Sequence, residues 1–530
     1  MVDRKKEQQR DELHRAIWSI ADELRGSVDG WDFKSYVLGT MFYRYISENL
    51  SNYINEGERE AGNESFDYAL MSDEDAECAK DDLVKEKGFF ILPSQLFCNM
   101  RKYIEEQRDD ALEKLNMILE NTFKAIEDSA KGTESEDDFS GLFDDFDCNS
   151  NKLGSTVKKR NATLIKLING IGDMCLGGEY KDNSIDAFGD AYEYLMAMYA
   201  SSAGKSGGEF FTPQEVSELL ARIATYGKTQ VNKCYDPCCG SGSLLLQASK
   251  ILGKGNVSNG FYGQEVNITT YNLCRINMFL HDVGYDKFNI ACEDTLVSPQ
   301  HWDDEPFEVI VSNPPYSIKW EGDADATMIN DPRFSPAGVL APKSKADLAF
   351  VMHMLSWLAS NGTAAIVCFP GVMYRGGAER KIRKYLIDNN FVDCIIQLPE
   401  NLFFGTSIAT CIMVLKKSKS DSKTLFIDAS EEFTKVTNNN KLTHENIMKI
   451  ADTFGNREEI EHFSHLAKYE EIQEEDYNLS VNMYVEPEDL TEKIDIDELN
   501  ANIKRIVARE EVLRTEIDKI IAEIEGDRNE

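Results

Sequence analysis

The sequence predicts an α/β fold of Rossmann type, with an all-helical domain before the sheet and one long helix after it. Short β-rich runs alternate with helical patterns between residues 161 and 420, which is typical of a doubly wound sheet. Residues 1–160 show only the apolar spacing of amphipathic helices, and residues 491–530 carry a single apolar stripe at helical spacing. Ligands of such sheets bind beyond the carboxyl ends of the strands, so the residues that follow each run are the candidates for a site.

Residues 1–160 are predicted to form the helical domain. Leu13, Ile17 and Ile20 recur at helical spacing, and a similar pattern follows Gly30. The acidic segment Glu134–Asp147 comes after these patterns. Because a run of charge is typical of a solvated loop, we expect this segment to lie in solvent.

Residues 161–420 are predicted to hold the sheet, and residues 421–490 a mixed extension. The stripe of the last helix, residues 491–530, must pack either on its own domain or on a helix of a partner. The β-rich runs of the sheet region are Val231–Tyr235, Phe261–Glu265, Phe307–Ser312, Ala364–Phe369, Cys394–Leu398 and Ile408–Leu415.

The chain is strongly acidic, with 57 Lys and Arg against 93 Asp and Glu, a net charge of −36. Phosphate contacts require clustered cations, so this balance argues against a protein that wraps nucleic acid by itself. Either the substrate is not nucleic acid, or a partner supplies most phosphate contacts. The start lacks the apolar stretch of a signal peptide and no run approaches a membrane span, so we expect a soluble cytoplasmic protein. Cys238 and Cys239 have no second pair at zinc spacing, and we expect no metal site.

A glycine-rich turn follows the first predicted strand. Gly240 and Gly242 remove side chains where the backbone must approach a ligand, and the next helix offers free N–H groups. Glu265 ends the second strand, where an acid commonly accepts hydrogen bonds from a ribose. Asp294 follows the short run Asn289–Cys292 and could accept from an adenine amino group. In this order the three features predict a pocket for an adenosine-bearing cofactor.

The most specific pattern is Asn313-Pro314-Pro315-Tyr316, directly after an apolar strand. The two prolines fix the backbone and remove two N–H donors. The Asn313 side-chain oxygen and a proline carbonyl can then accept both hydrogens of one amino group, while the Tyr316 ring stacks on a planar substrate. Two acceptors stabilise the increasingly positive nitrogen of an alkylation transition state. The pattern therefore predicts transfer of an alkyl group to a conjugated amine.

Together, Asp236–Ser243 and Asn313–Tyr316 resemble the S-adenosylmethionine-dependent amino methyltransferases that act on DNA. Gly207–Gln214 resembles the cofactor-binding motif of the modification (methyltransferase) subunit of type I restriction-modification systems. The resemblance covers nearly the whole chain. Its other matching segments are Ile17–Gly26, Tyr43–Ser47, Arg375–Glu379, Leu398–Phe403, Leu425–Ser430 and Asp476–Leu479.

This resemblance implies a site-specific, adenine-specific DNA methyltransferase that transfers a methyl group from S-adenosylmethionine to the exocyclic N6 of a flipped base. The residues that it implies for the catalytic site are Asn313, Pro314, Pro315 and Tyr316. The residues that it implies for the cofactor are Glu209, Phe210, Phe211, Thr212, Pro213, Gln214, Asp236, Gly240, Ser241, Gly242, Ser243, Glu265 and Asp294.

The resemblance also implies partners. A separate DNA specificity subunit reads double-stranded DNA, and two modification subunits clasp it, which explains the acidity of this chain. We expect the terminal helix, Asp495–Glu525, to dock on that subunit. Whether a restriction subunit, a nuclease and translocase, joins the complex is left open.

Three alternatives remain at this stage. A protein-glutamine methyltransferase needs the same two acceptors, although the N-terminal and C-terminal helices argue against it. A cytosine-N4 DNA methyltransferase is compatible with the same motif, which leans towards adenine. An assembly subunit with a decayed site is disfavoured because Asn313–Tyr316 is intact.

Overall fold

The computed structural model describes residues 11–20, 30–174, 187–202, 212–253, 255–322, 325, 327–403, 406–436, 439–486 and 496–526. The chain divides into two units, Met1–Val485 and Glu486–Glu530. The first unit contains the sheet and the N-terminal helices, and the described part of the second contains the C-terminal helix.

One large sheet organises the first unit. Its strands lie in the order β11-β8-β6-β7-β5-β4-β1-β2-β3, and β9 pairs with β10 in a separate antiparallel hairpin. The strands are β1 (Cys234–Asp236), β2 (Phe261–Gln264), β3 (Phe288–Ala291), β4 (Phe307–Ser312), β5 (Leu358–Cys368), β6 (Val392–Gln397), β7 (Cys411–Lys416), β8 (Thr424–Asp428), β9 (Thr434–Val436), β10 (Asn439–Lys441) and β11 (Ser464–Ala467).

The strands from β3 to β5 run parallel, and β7 enters antiparallel between β5 and β6. Alternate side chains of β4 bury into different apolar clusters, Val309 and Val311 into one and Ile310 into the other. A strand buried on both faces requires helices on both sides of the sheet. The predicted α/β fold with its helical N-terminal region is therefore confirmed.

Several strand boundaries differ from the sequence-based ones. Residue Val231 makes only an isolated bridge, so β1 begins at Cys234 and includes Asp236. Strand β5 begins at Leu358, before the predicted apolar run, because the polar pair Asn361-Gly362 belongs to the strand and interrupts its pattern. The sheet also continues past residue 420 through β8 and β11.

Helices cover the sheet and build the N-terminal region. They are α1 (residues 11–20), α2 (Gly30–Glu60), α3 (Asp73–Glu77), α4 (Lys80–Lys87), α5 (Phe97–Glu106), α6 (Arg108–Ser129), α7 (Glu136–Phe139), α8 (Val157–Asp173), α9 (Ala187–Ser202), α10 (Gln214–Ala224), α11 (Ser243–Leu252), α12 (Ile268–Leu280), α13 (Asp347–Trp357), α14 (Ala378–Asp388), α15 (His444–Asn456), α16 (Tyr469–Glu474) and α17 (Ile496–Gly526).

Helix α8 closes the N-terminal bundle. The predicted boundary at residue 160 falls inside this helix, which packs against α2 and α6. Thr156 caps its start, since its hydroxyl accepts from the Lys159 N–H at 3.3 Å. Arg44 of α2 donates to the carbonyls of Ile171 and Met174, at 2.6 and 2.9 Å, and so satisfies its last turn.

The acidic segment Glu134–Asp147 is not the solvated loop that its charge predicts. Arg275 of α12, itself buried, donates to the carbonyls of Asp137 and Ser140 at 2.7 and 3.0 Å. The apolar side chains between the acids hold the segment against the protein, which the run of charge conceals in the sequence. The buried members are Phe139, Leu142, Phe143 and Phe146.

The second unit contains helix α17, one residue displaced from the predicted Asp495–Glu525. It presents an apolar stripe to solvent. Its exposed apolar residues are Leu499, Ile503, Ile506, Val507, Val512, Leu513, Ile517, Ile520, Ile521 and Ile524. Among the residues described, no helix has the length and apolar character needed to cross a membrane.

Candidate active site

A cavity of about 220 Å³ opens at the carboxyl edge of the sheet, beside the neighbouring strands β1 and β4. The strand order reverses between these two strands, because β2 and β3 follow on the side of β1 and β5 follows on the side of β4. Ligands of α/β sheets bind at such a switch point. Its predicted lining residues are Thr212, Gly240, Ser241, Ser243, Glu265, Asp294, Asn313 and Pro315. Sequence reasoning missed further lining residues, among them Cys238, Val266, Glu293, Leu296, Ile318, Lys319, Trp320 and Phe350.

The loop after β1 turns at two glycines with positive φ, 53° at Gly240 and 78° at Gly242. A Cβ at Gly242 would lie 2.8 Å from Cys274 Sγ and 3.0 Å from Met278 Cε, so this turn requires glycine. Helix α11 begins at Ser243, the next residue. The free N–H groups of its first turn therefore lie at the cavity.

Glu265 connects this loop to the end of β2. The Gly240 N–H donates to its Oε2 at 3.1 Å, and the Asn267 N–H donates to its Oε1 at 2.8 Å. Burial raises the pKa of the carboxyl group, which the backbone donors partly offset. Each carboxylate oxygen retains a second lone pair, so Glu265 can also accept from a hydroxyl of a ligand in the cavity.

Asp236 lies beneath the cavity rather than in its wall, with no exposed surface. Its Oδ1 accepts from the Cys238 N–H at 3.0 Å and from the Ser312 hydroxyl at 2.7 Å. Burial raises the pKa of Asp236 to about 7. The carboxyl group thereby ties the end of β1 to the end of β4, one residue before Asn313.

The amide of Asn313 is held by two hydroxyl groups. Its Nδ2 donates to Thr212 Oγ1 at 3.0 Å, and its Oδ1 accepts from the Tyr316 hydroxyl at 2.7 Å. Thr212 is 101 residues away in the sequence. The amide nitrogen can only donate, and its bond to Thr212 fixes the orientation of the amide. The amide oxygen is the acceptor for a substrate, with one lone pair left beside Tyr316.

The Tyr316 side chain is held by contacts with the protein, in addition to being a candidate for stacking on a base. Its hydroxyl contacts Asn313, and its ring lies 6.5 Å from the ring of Phe369, centroid to centroid, at 49°. Burial raises the pKa of this hydroxyl well above its ordinary value, so Tyr316 remains a donor. The sequence does not reveal that this side chain also positions the Asn313 oxygen.

Arg333, which sequence reasoning missed, braces the wall next to Asp294. It is 1% exposed and donates to the carbonyls of Thr295 and Leu296 at 2.8 and 2.7 Å. Its partner acid is Asp331, at 2.7 Å. Asp294 itself accepts from the Leu296 N–H at 2.8 Å. The only sequence signal for Arg333 was a lone Asp-x-Arg pattern in a polar stretch.

The predicted residues outside the cavity lining fall into three groups. Asp236, Gly242, Pro314 and Tyr316 lie next to the lining and support it. Pro213 starts α10, and Gln214 donates to Glu193 of α9 instead of lining the cavity. Glu209, Phe210 and Phe211 lie outside the described residues.

The basic groups near the site differ in their availability. Arg380 pairs with Asp476, and Arg383 is buried and donates to the carbonyls of Tyr477 and Val372. Arg375 lies 3.5 Å from Glu379. Lys319 and Lys343, by contrast, are exposed.

Two family models match this chain. The N-6 DNA methylase model matches residues 183–493, which include the whole cavity, and the HsdM N-terminal domain model matches residues 13–171. The chain belongs to the N-6 DNA methylase family.

Proteins similar along most or all of their length carry related names. A type I restriction enzyme MpnII methylase subunit of Mycoplasma pneumoniae is 50% identical over 99% of this chain and 98% of its own. A type I restriction enzyme MjaVII methylase subunit of Methanocaldococcus jannaschii is 29% identical over 98% of this chain and 84% of its own. The crystal structure of a type I methyltransferase subunit from Streptococcus thermophilus superposes with a TM-score of 0.80, at 37% identity, over 90% of this chain and all of that one.

This N-6 DNA methylase is thus a methylase subunit of the type I restriction-modification class, and an adenine-specific DNA methyltransferase. The family assignment confirms the resemblance of the motifs. It does not favour the protein-glutamine or cytosine-N4 alternatives.

Proposed function

We propose that this methylase binds S-adenosylmethionine in the cavity at β1 and β4 and holds the target adenine at Asn313. The single observation that carries the proposal is the Asn313 amide, fixed by Thr212 and Tyr316 at the edge of a cavity lined with acids and apolar side chains. The cofactor supplies an electrophilic methyl group on a positively charged sulfur.

The residues around the cavity fit such a cofactor. The carboxylates of Glu265, Glu293 and Asp294 suit hydroxyl and amino groups and favour a positively charged ligand. Val266 and Leu296 supply apolar surface for a planar base. The Gly240–Gly242 turn keeps side chains away from the backbone N–H groups that begin α11.

Asn313 would accept one hydrogen of the adenine amino group, and the Pro314 carbonyl the other. Neither acceptor has to remove a proton before methyl transfer, because the nitrogen becomes acidic as it gains positive charge. Their contribution is a fixed pair of dipoles directed at that charge. Thr212 and Tyr316 keep the amide in place, so little reorganisation accompanies the reaction.

We further infer that a separate specificity subunit reads the DNA and that two methylase subunits bind it. Two observations support this assembly: the net charge of −36, which is unsuited to independent DNA binding, and the exposed apolar stripe of α17. With a restriction subunit the complex would also act as a nuclease. Because its substrate is genomic DNA, we infer that the complex acts in the cytoplasm.

The test uses radiolabelled S-adenosylmethionine and genomic DNA from a host without this system. We expect labelled N6-methyladenine only when the chain is assembled with its specificity subunit. In that complex, Asn313→Ala should slow methyl transfer about 100-fold or more, with cofactor affinity nearly unchanged, because it removes a dipole that acts on the transition state.

Asn330→Ala, an exposed asparagine of the same loop, is the matched control and should retain full activity. Equal loss of transfer and cofactor affinity in Asn313→Ala would show that Asn313 belongs to the cofactor site. Label on DNA without the specificity subunit would contradict the proposed division of labour.

A further inference from the structure

Two stretches of chain lie side by side at the mouth of the cavity. The Trp320 N–H donates to the Lys343 carbonyl at 3.1 Å, and the Ala346 N–H donates to the Ile318 carbonyl at 3.0 Å. Residues 317–322 and 342–346 therefore form a paired segment, which we call the lysine clamp because it carries Lys319, Lys343 and Lys345.

The clamp is anchored to α13 and to Phe334, and a side-chain hydrogen bond also joins its two stretches. The Ser317 N–H donates to both carboxylate oxygens of Asp347, at 3.1 Å each, in the first turn of α13. The buried Trp320 indole donates to the Pro342 carbonyl at 3.1 Å and packs against Phe334 with ring centroids 5.4 Å apart. A segment held by these contacts presents its charges with little loss of backbone entropy on binding.

The charge of the clamp contrasts with the rest of the chain. Lys319 and Lys343 are exposed, Lys345 is half-buried, and none of the three has an ion-pair partner within 4.0 Å in the described part of the chain. Glu321 is the exposed acid on the same segment. The arginines close by are engaged, as described for Arg333, Arg375 and Arg380.

The position of the clamp links it to the target base. Lys319 lines the cavity and follows Asn313 by only six residues. A base held at Asn313 brings the sugar-phosphate backbone of its own strand to the cavity mouth. Cations that meet this backbone favour an extruded base over a stacked one, since they add phosphate contacts that only the extruded strand makes.

We propose that Lys319, Lys343 and Lys345 contact the phosphates that flank the flipped adenine. The inference rests on the proposed function and deepens it, because it assigns to this acidic subunit its own limited share of the DNA contacts. Each lysine would act as a point charge on a phosphate oxygen, without reading sequence.

The experiment measures how salt affects the binding of a fluorescein-labelled duplex to the complex with the specificity subunit. The duplex carries a site that this complex methylates in genomic DNA, so that the target adenine can be extruded. Affinities are taken between about 50 and 200 mM salt, for the unsubstituted complex, for single Lys→Gln variants and for the variant with all three. We expect the slope of log affinity against log salt to fall by about 0.9 for each lysine that meets a phosphate, about 2.7 for three. At about 0.1 M salt each such loss corresponds to roughly tenfold weaker binding.

Two controls distinguish phosphate contact by the clamp lysines from an effect of net charge. Lys166→Gln on α8 makes the same change of charge at an exposed site of the N-terminal bundle, and should leave the slope unchanged. Arg in place of each clamp lysine should restore the slope, because the point charge is retained. Melting temperatures near that of the unsubstituted chain establish that the variants are folded.

A slope that the three substitutions leave unchanged would overturn the inference. So would a higher KM for S-adenosylmethionine with an unchanged slope in Lys319→Gln, which would assign this lysine to the cofactor. If the unsubstituted complex binds and methylates DNA in either case, only the clamp assignment fails. A complex without methylation would instead overturn the proposed function.

Discussion

At the scale of single residues, the site depends on side chains that orient one another. Thr212 illustrates this. The resemblance of its segment to a family motif implied a cofactor role for it, and it lines the cavity. Its hydroxyl also accepts from the Asn313 amide nitrogen. This bond determines which end of the amide faces the substrate.

We expect Thr212→Val, which keeps the shape and removes the hydroxyl, to lower kcat about fivefold, the value of one hydrogen bond of about 1 kcal/mol. KM for S-adenosylmethionine should change little, and Thr212→Ser should restore kcat. Steady-state kinetics on DNA from a host without this system, which is unmethylated at the target sites, measure both. A rise in KM without loss of kcat would limit Thr212 to cofactor binding.

We expect Asp236 to make the stability of the protein depend on pH. Its pKa is raised to about 7 in the folded protein, so the folded state binds a proton that the unfolded state releases near pH 4. The free energy of unfolding should therefore fall as pH rises from about 4 to 7, by at most about 1.4 kcal/mol per pH unit from this group.

Asp236→Asn should flatten that part of the profile, because an amide does not titrate. The variant should still fold, since its amide oxygen can accept from Cys238 and Ser312. Denaturant unfolding between pH 5 and 7.5 provides the measurement. An unchanged slope in the variant would show that Asp236 is ionised throughout.

At the scale of elements, the glycine turn before α11 is determined by packing as well as by ligand approach. Gly242 has φ 78°, and a Cβ there would overlap the thiol of Cys274 on α12. Gly227, with φ 74°, has no atom within 4 Å of the corresponding Cβ position. The two glycines share a conformation and differ in their surroundings.

This difference makes Gly227→Ala a matched control for Gly242→Ala. Both should lose about 1–2 kcal/mol to the left-handed conformation, and Gly242→Ala a further 1–3 kcal/mol to overlap. Thermal unfolding should place Gly242→Ala clearly below its control, and only Gly242→Ala should weaken cofactor binding. Equal melting temperatures would mean that α12 moves aside without cost.

At the scale of the whole molecule, the chain divides into two units. The first holds the sheet, the cavity and the N-terminal bundle, and the second is a helix whose apolar stripe is exposed. An exposed apolar stripe of this length is typical of a surface that binds a partner.

Removal of residues 486–530 should therefore leave the melting temperature and cofactor affinity of the first unit nearly unchanged. Assembly with the specificity subunit, measured by size-exclusion chromatography with light scattering, should be lost or strongly weakened. Charged residues in place of Ile506 and Leu513 should have the same effect in the full chain, since they interrupt the stripe. Unimpaired assembly would place the docking surface elsewhere.

The sequence by itself determined the fold class, the glycine turn and the Asn313–Tyr316 motif. These features are local. The alternation of β-rich and helical segments, the positive φ of a turn and the residues that follow a strand each depend on a few neighbouring positions in the sequence. The same locality explains why strand ends were displaced by several residues, as at Val231, and why the charge of Glu134–Asp147 hid its buried phenylalanines.

The tertiary structure alone decided which distant residues meet. Thr212 reaches Asn313, Arg333 braces the Thr295–Leu296 carbonyls, and the acidic segment packs on Arg275 across 135 residues or more. None of these pairs shares a periodicity or a turn. Their meeting depends on how helices and strands pack around the sheet, which the local pattern of a sequence does not encode.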